Sequence, residues 1–369
     1  MKIAIVGLGA AGAAALLDAA ARGIEVVGFE QFAIGHDLGS SHGASRLIRR
    51  TYPDGFHSRW MAPAYDVWAR VEELTGEDLF VKCGGLTFGP ENDATLLATR
   101  DALVGCGIAH EALAREAVME RFPELDIGPG GVGIYQPDSG FLRADRCVRS
   151  QVDAARKLGA VIHDGCKVIE IQEKDSGVTV VSDLGSERFD AVVVTAGPWL
   201  GKLLPGLLPL QVVLRQTLYL GVEGGEERFA PGRFPVWIHH PSDHYGFPSD
   251  GVLPGIKVAC HHGGPEIDPA SPDRPVMEEL AHSVRDHARK HIASLSGEIV
   301  AAKSCLYTVT PDEHFILDFV PGSRRQIVCA GCSGHGFKFS ALLGELALGM
   351  AKDRQHPADS EPWRLARFA

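Results

Sequence analysis

Gly7-Leu8-Gly9-Ala10-Ala11-Gly12 follows a short β-branched run, 2–6, and opens an Ala/Leu-rich segment, 10–22. Glycines at this spacing allow a tight strand-to-helix turn. They also let a pyrophosphate approach the free N–H groups at a helix start, where the helix dipole favours negative charge. Glu30 ends a second strand-like run, 25–30. A carboxylate there accepts hydrogen bonds from ribose hydroxyls and repels a 2′-phosphate, so a non-phosphorylated adenine dinucleotide is expected. A glycine-rich turn without a ligand is the alternative that the motif leaves open. Four further clusters carry reactive side chains: Arg46 with Arg49; Tyr245 with Lys257 and His261; Ser304-Cys305-Leu306-Tyr307; and Gly334-His335-Gly336-Phe337-Lys338. Lys257 lies in the apolar run Gly255-Ile256-Lys257-Val258-Ala259. An unpaired charge is costly there, which sets it apart from a solvated lysine.

Two other groups invite a metal. Cys329-Ala330-Gly331-Cys332 is the single CxxC, and it lacks the second pair or matched histidines that a structural zinc site needs. It reads as two small residues where a buried strand meets a glycine-rich loop. His239, His240, His244, His261 and His262 match no helical ligand spacing among themselves and read as a polar loop, so no metal is expected.

The positioning elements follow from periodicity. The segments 2–6, 10–22 and 25–30 make a βαβ unit, and a polar Gly/Ser/His stretch, 35–45, follows where it can reach back over the nucleotide. Helices are expected at 57–74, 93–104, 145–158, 277–294 and 339–352, and strands at 132–136, 168–172, 178–181, 189–195 and 326–330. Residues 210–310 alternate apolar and polar, as in an antiparallel sheet with one solvated face. The predicted organisation is a mixed α/β chain. A nucleotide domain is built from three segments, 1–82, 142–208 and 310–369, and a mostly antiparallel domain is inserted twice, at 83–141 and 209–309.

Composition excludes several classes. Lys plus Arg number 36 against 47 Asp plus Glu, a formal charge of −11, whereas nucleic-acid binders that grip phosphates are basic. With 45% hydrophobic residues the chain can build packed cores. Its 8 cysteines lack a repeating spacing, so a reducing compartment is expected and not a disulfide framework. The nearly uncharged stretch 3–21 could pass for a secretory core, but its spaced glycines and Asp18 argue against that reading, and no membrane association is expected.

Along essentially its whole length the chain resembles the monomeric sarcosine oxidase and N-methyltryptophan oxidase family, flavoproteins of the D-amino-acid-oxidase-like fold. The resemblance is most specific in Lys303-Ser-Cys305-Leu-Tyr307-Thr-Val-Thr-Pro-Asp-Glu-His-Phe315-Ile and in Gly334-His-Gly-Phe-Lys338-Phe-Ser. It implies a Rossmann-like FAD-binding domain with an inserted, mostly antiparallel β-sheet substrate domain. Cys305 matches the cysteine that carries FAD through a thioether, a role suited to a soft thiolate nucleophile; a buried free cysteine is the bland alternative. His42 and Arg46 match residues beside the flavin ring, where donors and positive charge stabilise its reduced, anionic form. Gly7, Gly9, Gly12, Glu30, Gly334, Gly336, Phe337 and Lys338 complete the implied cofactor contacts.

The same resemblance implies the catalytic set. Lys257 matches the lysine that activates dioxygen, where a fixed cation lowers the energy of superoxide. Arg49 and Lys338 match the pair that grips a substrate carboxylate, a planar fork joined to a point charge. Tyr307 matches a tyrosine over the substrate, and Tyr245 and His261 match residues that position the amine. Three departures bear on the substrate: the spacing from Tyr245 to Lys257 is one residue longer than expected, which points to the 250–254 loop as reshaping the pocket entrance; Val236 falls near the position where the family often has a larger thioether side chain; and Ala44 stands where an acidic residue is expected. The implied function is oxidation of secondary amines, above all N-methyl amino acids, with dioxygen as acceptor, hydrogen peroxide as product, and a cytoplasmic monomer as the working form. Glycated amino acids, cyclic imino acids such as pipecolate or proline, and a dehydrogenase with another acceptor are the alternatives. A flavoprotein without turnover, acting as a sensor or electron carrier, is disfavoured by Lys257, and a simple nicotinamide dehydrogenase has no use for the 334–338 loop.

Overall fold

A computed structural model of the 369-residue chain describes every residue except 175 and 369. The first βαβ unit forms as expected, with strand Lys2–Val6, helix Ala10–Ala21 and strand Glu25–Glu30. These strands belong to a six-stranded sheet ordered Ile316–Phe319, Gln326–Ala330, Ala191–Val194, Lys2–Val6, Glu25–Glu30, Val161–Asp164. All neighbouring pairs are parallel except the edge strand Ile316–Phe319.

Side chains alternate across this sheet as a two-residue period requires. Ile3 and Ile5 join the core beneath the helices, whereas Ala4 and Val6 face the opposite core with Val192 and Val194. The first helix, Ala144–Lys157 and the closing helix Ser340–Asp353 cover one face. A three-stranded antiparallel sheet, Val168–Lys174, Gly177–Ser182 and Gly185–Phe189, supplies apolar residues to the other. The expected single strand 189–195 is two strands, because Phe189 completes this small sheet and Ala191–Val194 enters the large one. The break at Asp190 lets its carboxylate accept the Lys2 N–H at 2.8 Å.

The second large sheet has eight strands: Leu295–Val309, Gln211–Val222, Ile256–Cys260, His244–Gly246, Val236–His239, Gly85–Pro90, Gly131–Gln136 and Glu111–Ala114. It is antiparallel throughout except where Val236–His239 runs parallel to Gly85–Pro90, a local exception to the expected pattern. Helix Glu278–His291 covers one face, burying Ala281, Val284 and Ala288 against Leu218, Leu220, Ile256 and Val258. The helices Gly55–Thr75 and Ala94–Gly105 agree with expectation to within two residues, each started by an aspartate that accepts a backbone N–H, Asp54 from His57 and Asp93 from Leu96. Short strands at Arg46–Ile48, Phe80–Lys82 and Gly140–Leu142 form a small bridging sheet too brief for periodicity to reveal. No helix among the described residues is long and apolar enough to cross a membrane.

Gly344 shows how tightly the closing helix sits. A Cβ there would lie 2.6 Å from the Ala11 carbonyl oxygen and 2.7 Å from the Ala15 nitrogen, so the two helices cross backbone to backbone. Gly344→Val is expected to cost about 3 kcal/mol through overpacking. Gly349→Ala, in the same helix with nothing within 4 Å, should stabilise by roughly 0.5–1 kcal/mol through helix propensity. Chemical denaturation of the two variants checks the pair.

Candidate active site

The carboxyl ends of the parallel strands converge on one crevice, the position at which open α/β sheets bind ligands. Gly7 after the first strand, Glu30 at the end of the second, Thr195 and Gly331 all line a cavity of about 830 Å³. Gly7 has φ +90, and a Cβ there would meet the Thr195 carbonyl oxygen at 2.6 Å. A Cβ on Gly12 would lie 1.9 Å from the Gly7 oxygen. Both positions therefore exclude other residues. Gly9 is the N-cap of the first helix and brings no capping side chain; the Ala10 N–H donates to the Ser41 hydroxyl at 3.0 Å, and all three residues line the crevice. Glu30 is buried, and its two carboxylate oxygens accept the N–H groups of Leu8 (2.9 Å) and Phe32 (3.0 Å). Each oxygen keeps a lone pair for a ribose hydroxyl. His42 lines the same cavity, and its buried Nε2 has no partner among the described residues. Glycine turn, helix start, acidic strand end and waiting ring nitrogen fit an adenine dinucleotide, and Arg46 lines the same cavity.

Four basic side chains belong to the site: Arg46 lines this crevice, and Lys257, Arg49 and Lys338 lie in the packed region beside it. Arg46 Nη2 donates to the carbonyls of Ser40 (2.9 Å) and His42 (2.8 Å), and its guanidinium lies 5.8 Å from the Phe337 ring. Lys257 is 3% exposed; Nζ donates to the Ser45 carbonyl at 2.7 Å and lies 4.9 Å from the Phe247 ring. Burial, reinforced by Arg46, pushes Lys257 down to about 7. Arg49 lies 4.4 Å from the Tyr52 ring and donates to the Thr51 hydroxyl at 3.3 Å. Lys338, 3% exposed, lies 5.1 Å from the same ring and donates to the His335 carbonyl at 2.6 Å. Burial and then Arg49 hold Lys338 well below the usual lysine range. All four bond to carbonyl or hydroxyl oxygens, and none to a carboxylate among the described residues.

The remaining expected residues gather around them. Tyr245 and Tyr307 approach hydroxyl to hydroxyl at 3.4 Å, and the His261 ring is 5.4 Å from that of Tyr307. Burial pushes His261 down to about 3, so it is neutral over the physiological range. Gly334, at φ +79, makes room for Tyr307: a Cβ would lie 2.0 Å from that ring. Gly336 and Phe337 line the cavity, and a Cβ on Gly336 would strike the Cys332 side chain. Cys305 is buried in strand Leu295–Val309 opposite Arg215. Burial raises its thiol, while Arg46, Lys257 and Arg215 pull the other way.

Two contributors escape sequence reasoning. Tyr52, 5% exposed, is the aromatic face shared by Arg49 and Lys338, and its hydroxyl meets His335 Nδ1 at 3.1 Å. Its position three residues after Arg49 is the one available signal. Asp250 accepts hydrogen bonds from the Tyr219 hydroxyl (2.7 Å) and the Ser45 hydroxyl (3.1 Å). The 250–254 loop thus delivers a buried carboxylate beside position 44, where the acid is missing, and braces the residue whose carbonyl holds Lys257. No local pattern announces this contact, which spans 205 positions.

The histidines correct the expected polar loop. His262 pairs with Asp243 at the surface, His240 meets the Thr99 hydroxyl at 3.2 Å, and His261 joins the site. His239 instead turns toward His287 and His291, with nitrogens of all three within 4.8 Å of one another. The overlooked signal is His287-Ala288-Arg289-Lys290-His291, a one-turn spacing within helix Glu278–His291 that places both rings on one face.

Comparison with known proteins agrees with this geometry. The model of a family of FAD-dependent oxidoreductases, DAO, matches residues 2–349. Peroxisomal sarcosine oxidase of Mus musculus is 33% identical over 99% of this chain and 95% of its own length. N-methyl-L-tryptophan oxidase of Yersinia pestis is 31% identical over 99% of this chain and 98% of its own. Among solved structures, the open form of NikD, an unusual amino acid oxidase, has a TM-score of 0.85 at 22% identity, covering 98% of this chain and 96% of that one, a likeness of fold. With a dinucleotide crevice, four basic side chains in and beside it and relatives spanning its full length, this chain belongs to the DAO family of FAD-dependent oxidoreductases.

Proposed function

We propose that the protein oxidises small secondary amines that carry a carboxylate, N-methyl amino acids above all, with dioxygen as the acceptor. Partly buried Arg49 and buried Lys338, packed around Tyr52 with no carboxylate against either among the described residues, carry the reading. Such a pair leaves uncompensated positive potential, which a substrate carboxylate would satisfy. In this reading residues 1–82, 142–208 and 310–369 hold the cofactor, and 83–141 and 209–309 shape the substrate pocket. FAD, held by the glycine turn, Glu30, His42 and Arg46, would supply the two-electron redox chemistry between the amine and dioxygen.

The chain's own groups prepare that step. The surrounding cations disfavour an ammonium, so the amine is held in the neutral form that can be oxidised. Neutral His261 adds no charge, and the Tyr245 and Tyr307 hydroxyls orient the nitrogen. The amine loses two electrons and two protons to become an imine, which water cleaves to an amine and an aldehyde; dioxygen takes up the electrons and protons as hydrogen peroxide. Lys257, fixed by the Ser45 carbonyl, would stabilise the first negative charge on oxygen. Cys305 lies on the strand whose Leu306 and Tyr307 line the crevice, close enough to Arg46 and Lys257 for both to favour its thiolate, which supports a thioether to the flavin 8α-carbon. Forming that bond removes two electrons, for which dioxygen is the oxidant.

Three measurements test this reading. Peroxide release is expected with sarcosine or another N-methyl amino acid. Arg49→Gln and Lys338→Gln should each raise KM by roughly 10- to 100-fold, the worth of a charged hydrogen bond; silence across N-methyl amino acids would sink the proposal. Lys257→Met should slow cofactor reoxidation far more than substrate-driven reduction in stopped flow. Because its pKa is lowered, Lys257 is a cation below about 7 and loses its charge above it. Wild-type reoxidation is therefore expected to fall as pH rises through a midpoint at or above that value, and the variant should be flat. Finally, acid precipitation should leave the yellow colour with the protein and an intact mass larger by one FAD, and Cys305→Ala should release the colour to the supernatant.

A further inference from the structure

Beneath the strand that carries Tyr245, a second group of side chains takes no part in amine chemistry. Strand residues alternate in direction, so Tyr245 faces Tyr307 while His244, its neighbour, stacks on His287 with ring centroids 3.9 Å apart. His239 lies 4.9 Å from both His287 and His291, centroid to centroid, and the latter two are 5.1 Å apart. The nitrogens of His239, His287 and His291 fall within 4.8 Å of one another, and the three rings are only partly buried, so an ion has a way in.

The hydrogen bonds around these rings have the form of an outer shell. His291 Nδ1 faces the Asp126 carbonyl at 2.8 Å; a carbonyl can only accept, so that nitrogen carries the proton and Nε2 keeps a free lone pair. His239 Nδ1 is held by the Ser242 hydroxyl at 2.6 Å, which also reaches His287 Nε2 at 3.2 Å. His244 Nδ1 donates to the Ser242 carbonyl at 3.0 Å, leaving a buried Nε2 without a partner among the described residues.

We propose that His239, His287 and His291 form a binding site for a divalent first-row transition ion, a three-imidazole set with an open position. Nitrogen donors suit Zn²⁺, Ni²⁺ or Cu²⁺ and not Ca²⁺ or Mg²⁺. Ligands sit at about 2.0–2.1 Å from zinc, and nitrogens within 4.8 Å of one another are near enough for small ring rotations to bring them to one ion. The ion would tie helix Glu278–His291 to the hairpin of strands Val236–His239 and His244–Gly246, whose other face presents Tyr245. It is a site distinct from the crevice and independent of which amine is oxidised.

Zn²⁺ is the probe. Holoenzyme stripped with EDTA and titrated with ZnCl₂ in a calorimeter is expected to bind one equivalent with low-micromolar or tighter affinity. Combined His287→Gln and His291→Gln substitutions, checked for retained flavin absorbance and circular dichroism, should weaken binding by roughly 100-fold or more. His262→Gln, which alters a surface histidine, should leave it unchanged. Binding that is absent, or that survives the double substitution, overturns the site. Should the double variant fail to fold, X-ray absorption of the wild-type zinc complex decides: a shell with three imidazoles supports the site, and one built from sulfur, or with fewer imidazoles, overturns it.

Discussion

Keeping four basic side chains in and beside one crevice, without a carboxylate against any of them among the described residues, is the constraint on which the rest of the structure depends. Each charge is met by dipoles and π faces: Arg46 by the Ser40 and His42 carbonyls and Phe337, Lys257 by the Ser45 carbonyl and Phe247, Arg49 and Lys338 by Tyr52. Such partners make burial tolerable without cancelling the charge. The nearest structural acid is held one step away: Asp250 binds the Ser45 and Tyr219 hydroxyls, and it is the Ser45 carbonyl that meets Lys257. A direct ion pair would have neutralised the field that the proposed anionic substrate and reduced oxygen would both use.

That arrangement makes demands on the scaffold. The carbonyls facing Arg46, Lys257 and Lys338 belong to loops, 40–45 and 335, so those loops must be held in place as firmly as strands. Gly334 and Gly336 allow the second loop to pass against Tyr307 and Cys332, while Asp250 braces the first. Both large sheets contribute through the same alternation. In Ile256–Cys260, Ile256 and Val258 enter the core under helix Glu278–His291, and Lys257 points the other way, to Ser45. A slip of one residue would drive the ammonium into that core, so the hydrophobic face sets the register that delivers the lysine. The same helix brings His287 and His291 to the back of the sheet, so one packing contact serves two places.

The individual elements of the cofactor crevice were legible because their signals are local. Gly7, Gly9 and Gly12 between a β-branched run and an alanine-rich one can serve few purposes, and Glu30 closes a run of six residues whose strand character is plain. The helices 57–74 and 277–294 show themselves by apolar spacing. The short strands Arg46–Ile48 and Gly140–Leu142 were not legible, since three residues hold no period, and the division at Asp190 was hidden inside one unbroken apolar run.

The sequence by itself determined the fold class, the dinucleotide turn and the chemical types of the groups around the site, because steric freedom, periodicity and side-chain chemistry act within a turn or a strand of the chain. Only the tertiary structure decided which groups meet: that Tyr52 would underlie both Arg49 and Lys338, that Asp250 would reach Ser45, and that His239 would turn away from its sequence neighbours toward a helix some fifty residues on. Those meetings follow from how two sheets and their covering helices bury apolar area. That is a property of the whole packed chain, and no short window of residues contains it.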